Sequence, residues 1–110
     1  MLLAYLKRPE KIAALIGIAS APDFTENLMW DKFNQEQKDI LLKDGIYNLE
    51  SEYDDRPYPV SKQLIEDGRK HLLLNSDLEI NCPVRLIHGT NDEDVPAAIS
   101  IQLAQKIMNG

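Results

Sequence analysis

The sequence predicts an α/β fold of two parallel strands with flanking helices and a helical insertion between the strands. Three observations predict it. The runs Ile12–Ala19 and Pro83–Gly89 are mostly apolar and bounded by polar turns, the pattern of strands covered on both faces of a parallel sheet. Segments of helical periodicity lie before, between and after them. Strands that alternate with helices pair in parallel through right-handed crossovers.

Each element has its own signal. Residues 2–9 read as the end of a helix entered midway, with no cap before it: Leu2, Leu3 and Leu6 share one face and Pro9 terminates it. The strand Ile12–Ala19 leaves through Ser20-Ala21-Pro22-Asp23. Three helices follow. The first covers residues 24–33. The second covers 35–44, with Asn34 as cap, Gln37 three residues on and Gly45 as the stop. The third covers 62–74 after the cap Ser61 and places Leu64, Ile65, Leu72 and, at its edge, His71 on one face. Between the second and third, Tyr47–Pro59 is a loop or hairpin rich in acids, tyrosine and proline. The last helix, residues 97–108, has Pro96 near its first turn and Ile101, Ala104 and Met108 facing inward. Two strands alone leave two apolar edges unpaired, and such edges are templates for another chain, so the sheet is expected to have further neighbours.

With 110 residues the chain is one domain at most, and 44% hydrophobic with 27% charged residues is ordinary globular composition rather than that of a disordered chain. Eighteen acidic against twelve basic side chains give a net charge of −6, which repels phosphate backbones and anionic lipid; neither nucleic acid nor a membrane is an expected partner. The apolar start Met1–Leu6 has no basic residue before it and is interrupted by Lys7, Arg8, Glu10 and Lys11, so neither a signal peptide nor a span is expected. The single cysteine, Cys82, has no partner for an internal disulfide and reads as a buried, inert thiol at a strand entrance. The expected address is cytoplasmic.

No cofactor or metal is expected. Asp92-Glu93-Asp94 lacks the oxygen spacing and central glycine of a calcium loop, and Cys82 has no histidine or cysteine at metal spacing. Glu50, Glu52, Asp54 and Asp55 beside Arg56 read as a solvated charge run.

The sharpest local signal is Leu86-Ile87-His88-Gly89-Thr90-Asn91-Asp92-Glu93-Asp94-Val95-Pro96. Gly89 allows a tight turn past the end of a strand. That turn puts the Asp92 carboxylate in the crevice where open α/β sheets bind ligands. A carboxylate there can orient an imidazole and stabilise its protonated form. A bare G-x-x-D turn, though, is more often a solvated loop than a catalytic one.

From Cys82 to Pro96 the sequence resembles the strand and turn that carry the triad acid in the α/β-hydrolase family, whose H-G-x-x-D-x-x-V-P motif places the acid at Asp92. Leu2 to Pro9 is similar to the helix after that family's nucleophile elbow, and Ile12 to Ser20 to its next strand. Residues 23–75 resemble the helical lid inserted before the acid-bearing strand. Tyr53-Asp54-Asp55-Arg56-Pro57-Tyr58-Pro59-Val60 and Leu64-Ile65-Glu66-Asp67-Gly68-Arg69 look like a bacterial and mitochondrial subgroup that includes an acyl-protein thioesterase. The resemblance covers nearly the whole chain and implies one partial α/β-hydrolase domain over residues 1–110. Some relatives carry the acid after the earlier strand, which keeps Asp23 as an alternative to Asp92. The lid residues Phe24, Leu28, Met29, Trp30 and Phe33 read either as helix core or as the lining of an acyl pocket.

The departures from the family matter as much. No G-x-S-x-G is present: Gly17-Ile18-Ala19-Ser20-Ala21 lacks the second glycine and has its serine one position late. On the family layout the elbow lies before Met1, and the triad histidine follows a further strand after the last helix. Ser20, His88 and Asp92 are not expected to form a triad, because His88 sits in an apolar strand and reads as packed or backbone-bonded. The expected chain is therefore a truncated serine-hydrolase-like protein that retains the acid and is inactive alone, its parent reaction being ester or thioester hydrolysis. Two alternatives follow. A separate N-terminal fragment completes it and restores activity on acyl esters or thioesters, or it serves as a non-enzymatic homo-oligomer joined through its strand edges.

Overall fold

The computed structural model describes residues 1–49 and 56–109. In chain order the elements are α1 (Leu2–Lys7), β1 (Leu15–Ile18), α2 (Gln35–Asp44), β2 (Ile46–Leu49), β3 (Tyr58–Ser61), α3 (Lys62–Arg69), β4 (Val84–Ile87) and α4 (Ala97–Asn109). A π-type turn at Thr25–Met29 and 3-10 turns at Pro9–Lys11 and Trp30–Lys32 complete them. The chain divides into two units: Met1–Asp23 with the residues from His71 onward, and Phe24–Lys70.

In the first unit β1 and β4 pair in parallel as expected, Leu15 opposite Val84 through to Ile18 opposite Ile87. The strands are shorter than the apolar runs, and β1 is not covered on both faces. Leu15 and Gly17 point into the core, whereas Ile16 and Ile18 are 65% and 74% exposed. Leu2, Tyr5, Leu15, Leu74, Leu78, Ile80 and Leu103 form the core, with Val84 and Leu86 packed against it. The Tyr5 hydroxyl ties α1 in by accepting from the Asn81 amide at 3.0 Å. Cys82 is half-buried against this core rather than buried.

The last helix and the third predicted one differ from expectation for physical reasons. In α4 the inward residues are Ile99, Ser100, Leu103 and Ile107, while Ile101 and Met108 are exposed. Gln102, Gln105 and Lys106 share one side, but the apolar residues spread over an arc wider than the face that packs, so periodicity alone does not choose which part is buried. Full burial of Leu103 is worth about 1.5–3 kcal/mol. The third predicted helix ends at Arg69 rather than Leu74, because the amides of Leu73 and Leu74 are taken by the Asp23 carboxylate at 2.8 and 3.0 Å. His71 lies beyond α3 and is exposed.

In the second unit α2 begins at the expected capping box: the Asn34 side chain accepts from the Gln37 amide at 2.8 Å and the Gln37 side chain from the Asn34 amide at 2.9 Å. It ends at Gly45, whose left-handed φ of 76° closes the helix. Of the two readings of Tyr47–Pro59, the hairpin is realised, with β2 antiparallel to β3. Tyr53 and the acids Glu50, Glu52, Asp54 and Asp55 lie outside the described residues. Phe33, Leu41, Val60 and Ile65 form the core here, with Met29, Trp30, Tyr47 and Leu49 against it.

The helix expected at 24–33 is instead the π-type turn followed by the 3-10 turn. Residues five apart point to different sides of an α-helix, whereas π-type bonding stacks them. The Trp30 amide indeed bonds the Thr25 carbonyl. Both side chains then meet α3: Thr25 lies against Gly68, and the Trp30 ring lies 4.8 Å from Arg69 Cζ and 5.1 Å from Lys38 Nζ. Arg69 also bonds Glu26 at 2.9 Å.

A methyl group at position 68 would collide with the Thr25 side chain. Gly68→Ala is expected to lose about 1–3 kcal/mol to overpacking against a helix-propensity gain of about 0.5–1 kcal/mol. The net effect should be a lower urea midpoint with an unchanged m-value.

Candidate functional site

At the carboxyl end of β4 the chain turns, and the Asp92 amide bonds the Gly89 carbonyl at 3.3 Å. Gly89 does not adopt the left-handed conformation, and a side chain there would meet open space, so this turn does not depend on glycine. What shapes it is Asp92 itself. Its Oδ1 accepts from the amides of Asp94 at 3.0 Å and Val95 at 2.9 Å. The other oxygen, Oδ2, faces His88 Nε2 at 3.5 Å. The Asp92 side chain is 24% exposed, open enough to meet an incoming donor. The Val95 amide, then the Asp94 amide and the nearby imidazole, hold the Asp92 carboxyl below its ordinary aspartate pKa of 3.8, and partial burial only opposes this.

His88 has a 6% exposed side chain, and both ring nitrogens are engaged. Nδ1 lies 2.6 Å from the Ser100 hydroxyl and Nε2 2.7 Å from the Val95 carbonyl. The expected packed, backbone-bonded histidine is what the structure contains. The sequence does not point to Ser100, because a serine within a largely apolar helix, twelve positions from its partner, leaves no local spacing signal.

The other candidates do not join this site. Ala19 takes a left-handed φ of 49° just past β1 and donates to the Ile87 carbonyl at 2.8 Å. Ser20, which follows, lines a cavity of about 270 Å³ with Met1, Leu2, Leu3, Ala21, Pro22 and Leu73. With both His88 nitrogens engaged elsewhere, Ser20, His88 and Asp92 form no triad. Asp23 is buried with both oxygens bonded to backbone amides, a joint between the chain leaving β1 and the chain returning at Leu73. Of the residues weighed as an acyl pocket, Phe33 is core of the second unit, Met29 and Trp30 pack against it, Leu28 is half-buried and Phe24 is exposed. Among the described residues no group of three or more acidic, histidine or cysteine side chains could hold a metal ion. None of the helices among them is long and apolar enough to cross a membrane.

No protein-family model matches the chain. Over 99% of its length the chain is 38% identical to a human protein named palmitoyl-protein thioesterase ABHD10, mitochondrial, and 40% identical to the rat protein of that name. It spans 36% and 37% of the length of those relatives. Among solved structures, alpha/beta hydrolase domain-containing protein 10 from mouse superposes with a TM-score of 0.81 at 36% identity, covering 96% of this chain and 42% of that one. A hydrolase from Agrobacterium vitis S4 superposes with a TM-score of 0.80 at 30% identity, over 86% of this chain and 36% of its own.

Proposed function

We propose, for a chain that belongs to the α/β-hydrolase family and carries part of its fold, that Asp92 is the acid of a Ser-His-acid hydrolase and that these 110 residues alone are inactive. The observation that carries the reading is the carboxylate itself. Two backbone amides fix one oxygen, the other faces His88 Nε2 at 3.5 Å, and the side chain stays partly exposed just past the carboxyl end of a parallel strand. That is what an acid needs in order to hold an imidazole in one tautomer.

The reaction proposed for the completed site is hydrolysis of an ester or thioester. A serine oxygen attacks the acyl carbonyl while the histidine takes its proton. The alcohol or thiol leaves with that proton, and water then frees the acid from the acyl-enzyme. The name of the animal relatives, palmitoyl-protein thioesterase, favours an S-acyl substrate. Among the described residues His88 pairs with Ser100, but that serine is buried within α4 and His88 Nε2 is held by the Val95 carbonyl, while His71 is exposed, so this pair offers no open serine oxygen for attack.

Two measurements test this. The purified chain should neither hydrolyse a chromogenic short acyl ester nor label with a fluorophosphonate. Turnover that disappears in Asp92→Ala would contradict the inactive reading. A chimaera in which this chain replaces the matching portion of the mouse relative should label and turn over an acyl thioester; a folded chimaera that does neither counts against the hydrolase reading.

The exposed Ile16, Ile18 and Ile87 favour a second proposal, association of this sheet with a complementing hydrolase segment or a second copy of the chain. A monomer by size-exclusion chromatography with light scattering would count against the second copy. We place the chain in the cytoplasm on its composition and charge, whereas the animal relatives are named mitochondrial; fractionation of tagged chain decides between the two.

A further inference from the structure

We infer that His88 and Ser100 are positioning residues for the Asp92 carboxylate, clasping the Val95 carbonyl so that the Val95 amide stays on Asp92 Oδ1. A carbonyl oxygen only accepts, so the 2.7 Å contact between His88 Nε2 and the Val95 carbonyl requires the proton on Nε2. In the neutral ring Nδ1 must then accept, and the Ser100 hydroxyl donates to it across 2.6 Å. Val95 is thus gripped twice, through its carbonyl by His88 and through its amide by Asp92 at 2.9 Å. The same Nε2 lies 3.5 Å from Asp92 Oδ2, beyond a good hydrogen bond but close enough to attract a carboxylate. His88 follows β4 and Ser100 belongs to the first turns of α4, so the acid is referenced to strand and helix together. Both side chains are largely buried, and water cannot readily replace either bond.

The role of the pair rests on Asp92 being the acid; the clasp itself does not, and the two are separable by experiment. On the folded chain, long-range proton–nitrogen correlations of the imidazole should find His88 as the single Nε2–H tautomer. His88→Leu should accelerate hydrogen exchange of the Val95 amide about tenfold, leave the Leu103 amide unchanged, and return the Asp92 carboxyl titration towards its ordinary value. His88→Gln, which keeps a donor for the carbonyl, should recover most of the protection. Should His88→Leu fail to fold, Ser100→Ala serves instead and should produce a mixture of tautomers with faster Val95 exchange. An Nδ1–H tautomer in the native chain, unchanged Val95 exchange in the variants, or equal acceleration at Leu103 would each overturn the clasp. Full turnover by an Asp92→Asn chimaera would overturn the acid reading and the catalytic purpose of the pair, while the exchange data still reported the clasp.

Discussion

Asp92→Asn, introduced into the chimaera that completes the fold with the mouse relative, should lower kcat about 10⁴-fold with little change in KM. The asparagine is nearly isosteric, so the effect isolates chemistry from packing. Its carbonyl must take over Oδ1, because the amides of Asp94 and Val95 both point there and both donate. The side-chain NH₂ is then forced into the Oδ2 position, where it faces the protonated His88 Nε2 across a gap that is 3.5 Å in the native chain. Two donors face each other, and a catalytic imidazole arriving with its N–H would add a third. Such a base loses its acceptor, its tautomer and the charge that stabilises it once protonated. Substrate binding uses none of these, so KM should hold. A variant that raised KM at constant kcat would show Asp92 acting in binding rather than as the acid.

Legibility in the sequence followed the range of the interactions. The α2 capping box is written in four consecutive residues, Asn34 to Gln37, with Gly45 closing the helix, and the structure reproduces it. The parallel pairing of β1 with β4 followed from two apolar runs, and the placement of Asp92 in the turn past β4 from the motif that follows that strand. What stayed hidden depends on partners far along the chain. Nothing near Leu73 announces that its amide belongs to a carboxylate fifty residues earlier, so α3 was expected to run on. The π-type turn exists because Thr25 and Trp30 both meet α3, a demand made from forty residues away. Ile16 and Ile18 read as buried because an apolar run signals a strand with two covered faces; residues 1–49 and 56–109 leave their face exposed. The buried face of α4 differs from the expected one by one position for the opposite reason, an apolar arc wider than the face that packs.

Asp23→Ala should be the most destabilising polar substitution in the first unit, by about 3–5 kcal/mol. The carboxylate is 5% exposed and spends both oxygens on backbone amides, Leu73 at 2.8 Å and Leu74 at 3.0 Å. An ionised acceptor makes each bond stronger than a neutral one. Its removal leaves two amides without partners next to Leu74, a core residue 4% exposed, where water cannot easily reach them. A domain of this kind has about 5–15 kcal/mol in all, so a loss of that size brings the unit near its unfolding threshold. Asp23→Asn is expected to recover only part of it, since one of the two amides would then face an NH₂ group. Urea unfolding followed at the first unit should show the midpoint falling steeply in Asp23→Ala and less in Asp23→Asn, with the m-value unchanged in both. The same pair separates the two aspartates functionally. An Asp23→Asn chimaera that folds should keep its kcat, because the Asp23 oxygens are already committed, and a collapse of kcat there comparable to that of Asp92→Asn would move the acid from the end of β4 to the end of β1.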